Sequence, residues 1–279
     1  MEDFFVKSDK QTATPQLMSV IVPTHNQAQY IAETIESILS QRNCNMEILF
    51  IDAESTDRTV EIIHSYEDSR MRIQSVPTTH IFEMINRGIA IARGDYINIL
   101  IPQGVYLYPD ALSLVMHKIE EFNFPDLFLT ASLCREETFI PELCFNPYEE
   151  ELLKKAVQPT FVHAFFVKRT VFQTIGYFDP DYLSRGVLDF LIRFFKSMHN
   201  GLTVASEPRV YVDATPIYML KPFTWTTFKE TFLIIKRYFG LYSAVSWFFT
   251  ESYLKRLVKN AWRKCRELLF GKKRDVERV

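Results

Sequence analysis

Cysteine is scarce: Cys44, Cys134, Cys144 and Cys265 are the only four, and none falls in a C-x2-C or similar metal-ligand spacing. A chain of 279 residues needs no staples, so they read as reduced thiols of a cytosolic protein. Basic charge is not in excess. A formal net charge of -2 excludes a globally basic nucleic-acid binder, and 47% apolar with 14% aromatic residues excludes disorder. There is no internal repeat, no low-complexity segment and no G-x-G-x-x-G after a strand, which sets aside a plain dinucleotide-binding enzyme. Long apolar runs are missing as well. "MEDFFVKSDKQTATPQ" reads as a flexible arm over residues 1–16 without a signal peptide. The nearest approach to a membrane segment, "FLIIKRYFGLYSAVSWFF", is broken by Lys236 and Arg237 and falls short of the ~20 helical residues a bilayer needs.

What is present is a repeating strand-loop-helix plan. "LMSVIVPTH" is a buried strand stopped at Pro23, and "AQYIAETIESILSQ" places Ile31, Ile35, Ile38 and Leu39 at helical spacing. "MEILFIDAESTDRTVEIIHSY" repeats the plan, with a strand to Ile51, an acidic loop and a helix from about Thr56, for which Ser55 or Thr56 is a natural N-cap. "MRIQSVP" is a third strand, "IFEMINRGIAIARG" a helix closed by Gly94, and "DYINILI" a fourth strand. Such alternation implies right-handed crossovers and a mostly parallel sheet, whose ligands sit beyond the carboxyl ends of the strands. Three loops lie there: "PTHN", "DAESTD" and "IPQGVY".

The pattern loosens after residue 113. "ALSLVMHKIEEF" is a helix, "PDLFLTASLC" a strand, "PTFVHAFFVKRTVFQTIGYFDPDY" a strand and helix leading to a turn, and "GVLDFLIRFFKSM" a helix. "GLTVASEPRVYVDA" reads as an edge strand broken by Pro208. A boundary near Pro222 leaves a main domain over 17–221 and a basic helical tail over 222–279. Charge follows that division: the residues from Thr227 onward carry +8 and those before it -10.

The succession "SVIVPTHNQAQYIAETIESILSQ", "EILFIDAESTDRTVEII", "NRGIAIARGDYINIL" resembles the nucleotide-binding half of family 2 glycosyltransferases, strongly over 17–112. It continues more weakly through "TFVHAFFVKRTVFQTIGYFDPDY", similar to the acceptor half (113–221), and lapses in the tail. The resemblance implies a GT-A, Rossmann-like α/β fold with a mostly parallel central sheet flanked by helices and a C-terminal helical extension. It also implies inverting transfer of a sugar from a nucleotide-diphosphate donor, a UDP-sugar first, to a lipid-linked or glycan acceptor.

On their own chemistry, Pro23, Thr24, His25 and Asn26 form a turn that can line a flat base or ribose, or be an ordinary turn. Asp52 would accept a hydrogen bond from uracil N3 by resemblance, and could equally cap the next helix. Where the family carries a second Asp and a Gly, this chain has Ala53 and Glu54. Ser55, Thr56 and Asp57 serve the helix start. Asn86 and Arg87 lie in the helix before the fourth strand, and Arg87 either reaches a diphosphate with its forked guanidinium or is a surface arginine.

The family's Asp-x-Asp, whose carboxylate holds Mg²⁺ or Mn²⁺ against the donor diphosphate, is replaced by Ile101, Pro102, Gln103 and Gly104, with "YPDAL" retained beyond. Gln103 offers only a neutral amide, and Asp95 lies about 20 Å away along the strand, so no metal is expected in the usual way. Arg87 or Arg185 would stand in for the ion. The general base by resemblance is Asp189 when the family's tyrosine is set against Phe190, but the position falls at Val187 when its arginine is set against Arg193; Asp179, Asp181 and Glu207 are weaker candidates.

Two functions follow: a metal-independent glycosyltransferase with Asp189 as base, or an inactive relative that binds nucleotide or scaffolds glycan assembly. The tail segments "TFKETFLIIKRYFGLYSAVSWFF" and "ESYLKRLVKNAWRKCRELLFGKKR" mix aromatics with Lys and Arg. In the second, Leu254, Leu257, Val258, Ala261, Trp262 and Leu268 share a face. Residues 227–279 therefore suit either the cytoplasmic face of an anionic membrane or packing against the domain or a partner.

Overall fold

β-branched and aromatic runs build a sheet whose first half is wholly parallel. In the computed structural model, which describes residues 16–134, 142–213 and 224–250, strands β1 (Met18–Thr24), β2 (Met46–Asp52), β3 (Met71–Ser75) and β4 (Tyr96–Ile99) stand in the order β3-β2-β1-β4. Helices α1 (Ile31–Leu39), α2 (Thr59–His64) and α3 (Ile81–Ile91) are the crossovers. β1 and β2 are buried at every position, as parallel strands covered on both faces must be. Their register runs from Met18 opposite Met46 to Thr24 opposite Asp52, so the two strands end flush.

The second half supplies β5 (Val105–Tyr106), α4 (Ala111–Glu121), β6 (Leu127–Cys134), β7 (Glu142–Cys144), α5 (Glu150–Lys154), β8 (Phe165–Lys168), α6 (Arg169–Ile175), α7 (Gly186–Ser197), β9 (Val204–Asp213) and α8 (Trp225–Thr250). Beyond β4 the sheet continues β8-β6-β9-β5 with β7 beside β6, and here antiparallel pairs mix with the parallel pair β6–β9. Two apolar layers close it. Isoleucines of α1 and the inner face of α4 cover one side with Val20, Val22 and Phe50. On the other side α3, α6 and α7 pack Phe82, Phe172, Phe178 and Phe190 over Ile21 and Ile51. No helix among the described residues is long and apolar enough to cross a membrane.

Four local expectations are revised. Gly94 is no left-handed cap: a Cβ there would come within 2.6 Å of the Ser19 backbone nitrogen, so glycine is needed for close approach of the chain to β1. β9 is an edge only over its first part, since Val212 and Asp213 pair with β5. Pro208 is absorbed by a register shift between Glu207 and Val210 against β6, a bulge that spares the missing donor. α2 begins at Thr59 rather than Thr56. Cys44 is a free thiol, but Cys144 is disulfide-bonded, against the reading of four reduced thiols. Spacing along the chain says nothing of a bond made between segments brought together by strand pairing.

Candidate functional site

Because β1 and β2 end flush, the two loops that follow them are knitted together. Thr24 Oγ1 and Ser55 Oγ both donate to Asp52 Oδ1, at 2.9 and 2.6 Å, and the Ser55 N–H donates to Oδ2 at 2.8 Å. A carboxylate has about four acceptor positions, so Asp52, only 2% exposed, keeps roughly one free. The His25 ring nitrogen Nδ1 lies 2.8 Å from the Ala53 carbonyl, which can only accept, so the proton sits on Nδ1. In the neutral ring Nε2 is then an acceptor, and the Asn26 amide approaches it at 3.4 Å. Asn26 adopts a left-handed backbone (φ 51), tolerable for asparagine, and its Oδ1 accepts from the Thr56 N–H at 2.9 Å.

Asp57 caps α2 through the Thr59 N–H (2.9 Å) and reaches back to the Ala28 N–H (3.0 Å), tying the helix start to the first loop. Burial works against its charge, but hydrogen bonds from Thr59 and the N–H of Ala28 outweigh it and hold the carboxyl below its ordinary range. Ser55 and Thr56 instead serve Asp52 and Asn26. Thr24, His25, Asn26 and Asp52 are therefore tied into one hydrogen-bonded edge with Ser55, whereas Pro23 and Thr24 lie buried within β1, opposite Ile51 and Asp52, rather than on the turn expected from the sequence.

The turn that replaces the acidic motif is closed by the Gly104 N–H donating to the Ile101 carbonyl at 2.9 Å. Pro102 takes its second position and Gln103 its third, with φ 83, the arrangement of a type II turn that ordinarily wants glycine there. Thr34 of α1 clamps it: its hydroxyl accepts from the Gln103 N–H and donates to the Gly104 carbonyl, both at 3.1 Å. Thr34 was not singled out from the sequence, yet a hydroxyl inside the stripe Ile31, Ile35, Ile38 was the available signal. Gly104 faces His163, whose complete burial pushes its imidazole down to about 3.

This donor set does not fit a hard divalent cation. The turn offers neutral oxygens only, and Asp52 and Asp57 are engaged in the loops. Among the described residues no group of three His, Cys, Asp or Glu converges.

Gly186, in the first turn of α7, lies against Phe82 at the start of α3, where a Cβ would meet the ring at 2.7 Å. Asp189 sits in that first turn, 1% exposed. Arg193 Nε donates to its Oδ2 and the Tyr238 hydroxyl to its Oδ1, each at 2.8 Å. Arg193 also donates to the carbonyls of Ile175 (2.6 Å) and Tyr177 (2.8 Å).

Asn86 is committed elsewhere: its amide donates to the Phe178 carbonyl at 2.7 Å and accepts the Phe178 N–H at 3.1 Å, pinning α3 to the segment before α7. Arg87 stands exposed on α3. Arg185 immediately precedes α7 and is half-buried. Asp179 accepts the Asp181 N–H in a turn, and Glu207 accepts the Tyr211 hydroxyl. Tyr238, and Glu230 beside it on α8, had no signal in the sequence, because each meets its partners more than 40 residues away.

The family described as glycosyl transferase family 2 matches residues 19–123. Glycosyltransferase GlyG of Streptococcus pneumoniae is 36% identical over 88 residues, 30% of this chain and 29% of GlyG, so the chain spans under a third of that relative. An uncharacterized glycosyltransferase of Rickettsia prowazekii is 28% identical over 220 residues, covering 74% of this chain and 68% of the relative. Among solved structures, S. aureus TarS 1–349 in complex with UDP superposes with a TM-score of 0.61 at 19% identity, over 79% of this chain and 64% of that one. TarS was also solved with UDP-GlcNAc. The matched segment contains β1 to β4 and both knitted loops, and the fold around it is that of the structural neighbour: residues 19–123 match the family 2 glycosyltransferase model, and the chain has a GT-A fold.

Proposed function

We propose that the chain transfers a sugar from a nucleotide-diphosphate donor, a UDP-sugar, to a lipid-linked or glycan acceptor, without the usual metal-holding Asp-x-Asp. The observation that carries this reading is the hydrogen-bonded edge of Thr24, His25, Asn26 and Asp52 at the carboxyl ends of β1 and β2, where three hydrogen bonds to the Asp52 carboxylate leave about one acceptor position for a base N–H. TarS, solved with UDP and with UDP-GlcNAc, supports the choice of donor.

In the inverting step the acceptor oxygen forms its bond to the anomeric carbon as the bond to the diphosphate breaks. The nucleoside diphosphate leaves with the electron pair, and the acceptor proton passes to Asp189. Arg185 at the head of α7, or Arg87, would take the developing phosphate charge. For Asp189 to accept a proton the Tyr238 hydroxyl must turn away. Residues 227–279 supply contact with the cytoplasmic face of a membrane.

The engaged state of Asp189 favours a second reading, a nucleotide-binding subunit of a glycan assembly complex that performs no transfer. Titration calorimetry with UDP, GDP and ADP, with and without Mn²⁺, tests both. Metal-independent binding of UDP that is lost in Asp52→Ala but kept in Ser55→Ala supports the donor site. Turnover of a UDP-sugar then separates enzyme from subunit, and absence of any nucleotide binding refutes both.

A further inference from the structure

α8 has two dissimilar sides. Glu230, the one acid among residues 225–250, is turned inward and 7% exposed, so no carboxylate interrupts the outer side. Lys229 and Lys236 are exposed there, while Arg237 pairs with Asp179 of the domain at 3.9 Å. Between and beyond them stand Trp225 (68% exposed), Leu233, Leu241, Tyr242 (87%) and Phe249 (65%). Gly240, with φ 87, breaks the helix and turns its second part so that Trp247 stacks on Phe228 at 5.6 Å. A wholly apolar notch, lined by Phe228, Phe232, Val245, Phe248 and Phe249, opens between the two parts.

We infer that this outer side of α8 is a docking surface for an anionic lipid bilayer, with Trp225, Leu241, Tyr242 and Phe249 entering the interface and Lys229 and Lys236 meeting the headgroups. Three observations select that occupant. Aromatics of this size are left in water only at a cost, and interfacial membrane sites are where Trp, Tyr and Phe with flanking cations are stable. The exposed charge on α8 is of one sign, complementary to anionic lipid. The chain continues from Thr250 into residues 251–279, which bear ten Lys and Arg against four Asp and Glu, so the same sign of charge adjoins the patch.

The inference rests on the membrane reading of the tail and adds its orientation. The opposite side of α8 holds Asp189 through Tyr238 and the head of α7 through Glu230. Docking on the outer side therefore sets the acceptor side of the domain against the headgroups, where the head of a lipid-linked acceptor would lie.

Co-sedimentation of the full chain with vesicles of phosphatidylcholine alone or mixed with phosphatidylglycerol tests this. Binding is expected to the mixed vesicles, to weaken in high salt, and to fall about tenfold or more in Leu241→Glu/Tyr242→Glu, at two exposed positions. A second variant, Lys229→Glu/Lys236→Glu, is expected to lose the preference for phosphatidylglycerol. Thermal midpoint and UDP titration should match wild type in both, which separates this claim from the donor-site reading: vesicle binding without nucleotide binding would refute only the latter. Wild type that ignores the mixed vesicles, or a Leu241→Glu/Tyr242→Glu variant that binds like wild type, overturns the inference. So does that variant melting lower, with residues 251–279 then covering the face, or converting a wild-type dimer to monomer, with a second copy then its occupant.

Discussion

Glu230 is the most consequential single side chain on α8, and replacing it gives a sharp test of how the tail is fastened. Its carboxylate accepts the N–H groups of Leu183 (2.7 Å), Ser184 (2.9 Å) and Arg185 (2.9 Å) and the Ser184 hydroxyl (2.9 Å), just ahead of α7. Hydrogen bonds to a charged group contribute about 1.5–3 kcal/mol each in isolation, but they are not additive. Leu183 and Ser184 are exposed enough for water to replace part of what is lost. Glu230→Ala should therefore cost about 3 kcal/mol rather than the full sum.

Glu230→Gln keeps one acceptor oxygen but turns an NH₂ towards donors and removes the charge from the helix start, a loss of about 1–2 kcal/mol. At about 2–4 °C per kcal/mol for a chain of this size, calorimetry should rank wild type above Glu230→Gln above Glu230→Ala, the last lower by about 6–12 °C. Hydrogen exchange at residues 183–185 should rise in the same order. A Glu230→Ala midpoint within about 2 °C of wild type, with those amides still protected, would refute the fastening.

Other expectations are smaller. His163 stays neutral when folded because burial pushes its imidazole down to about 3. The unfolded chain takes up that proton below about 6.5, so stability should rise with pH across that interval and fall by roughly 2 kcal/mol from pH 6.5 to 5. His163→Gln should flatten that slope in denaturant titrations, and an unchanged slope counts against the burial. Glu54 and Gln103 hold left-handed backbones (φ 49 and 83), so Glu54→Gly and Gln103→Gly should each stabilise by about 0.5–1 kcal/mol; a lower midpoint would assign the side chain a role beyond the turn. Tyr238→Phe deletes one donor to Asp189 at a cost of about 1 kcal/mol and, with Asp189 as base, should speed hydrolysis of a UDP-sugar. No change in hydrolysis would point to the binding-subunit reading.

The parallel half of the fold was legible because its signals are local: β-branched runs give β1 and β2, isoleucine spacing gives α1, and alternation fixes their handed connection. The position of Asp52 at the end of β2 was legible for the same reason, but β1 runs on through Pro23 to Thr24, so that only His25 and Asn26 leave the strand. What escaped depends on contacts between distant residues. Nothing near Pro208 announces the bulge that lets β9 reach β5, and nothing near Gly94 announces Ser19. Asn86, by its place beside Arg87 in the helix, read as a nucleotide-binding residue; only packing of α3 beneath Phe178 turns its amide to the backbone there.

The treatment of Asp189 shows why that division matters for function. Read along α7, an acid four residues ahead of an arginine is an ordinary helical pair, and either register with the family is allowed. In three dimensions the arginine is anchored to two carbonyls of the preceding turn and the second oxygen is taken by a phenol from the tail. The charge on Asp189 is thereby satisfied twice, and freeing Oδ1 requires the hydroxyl of Tyr238 to turn away, a side chain carried on α8, the same element whose outer side is aromatic and basic. With Asp189 as base, its state is then coupled to the tail through Tyr238. A transferase built this way would be sensitive to whatever surface holds α8, whereas a binding subunit would not.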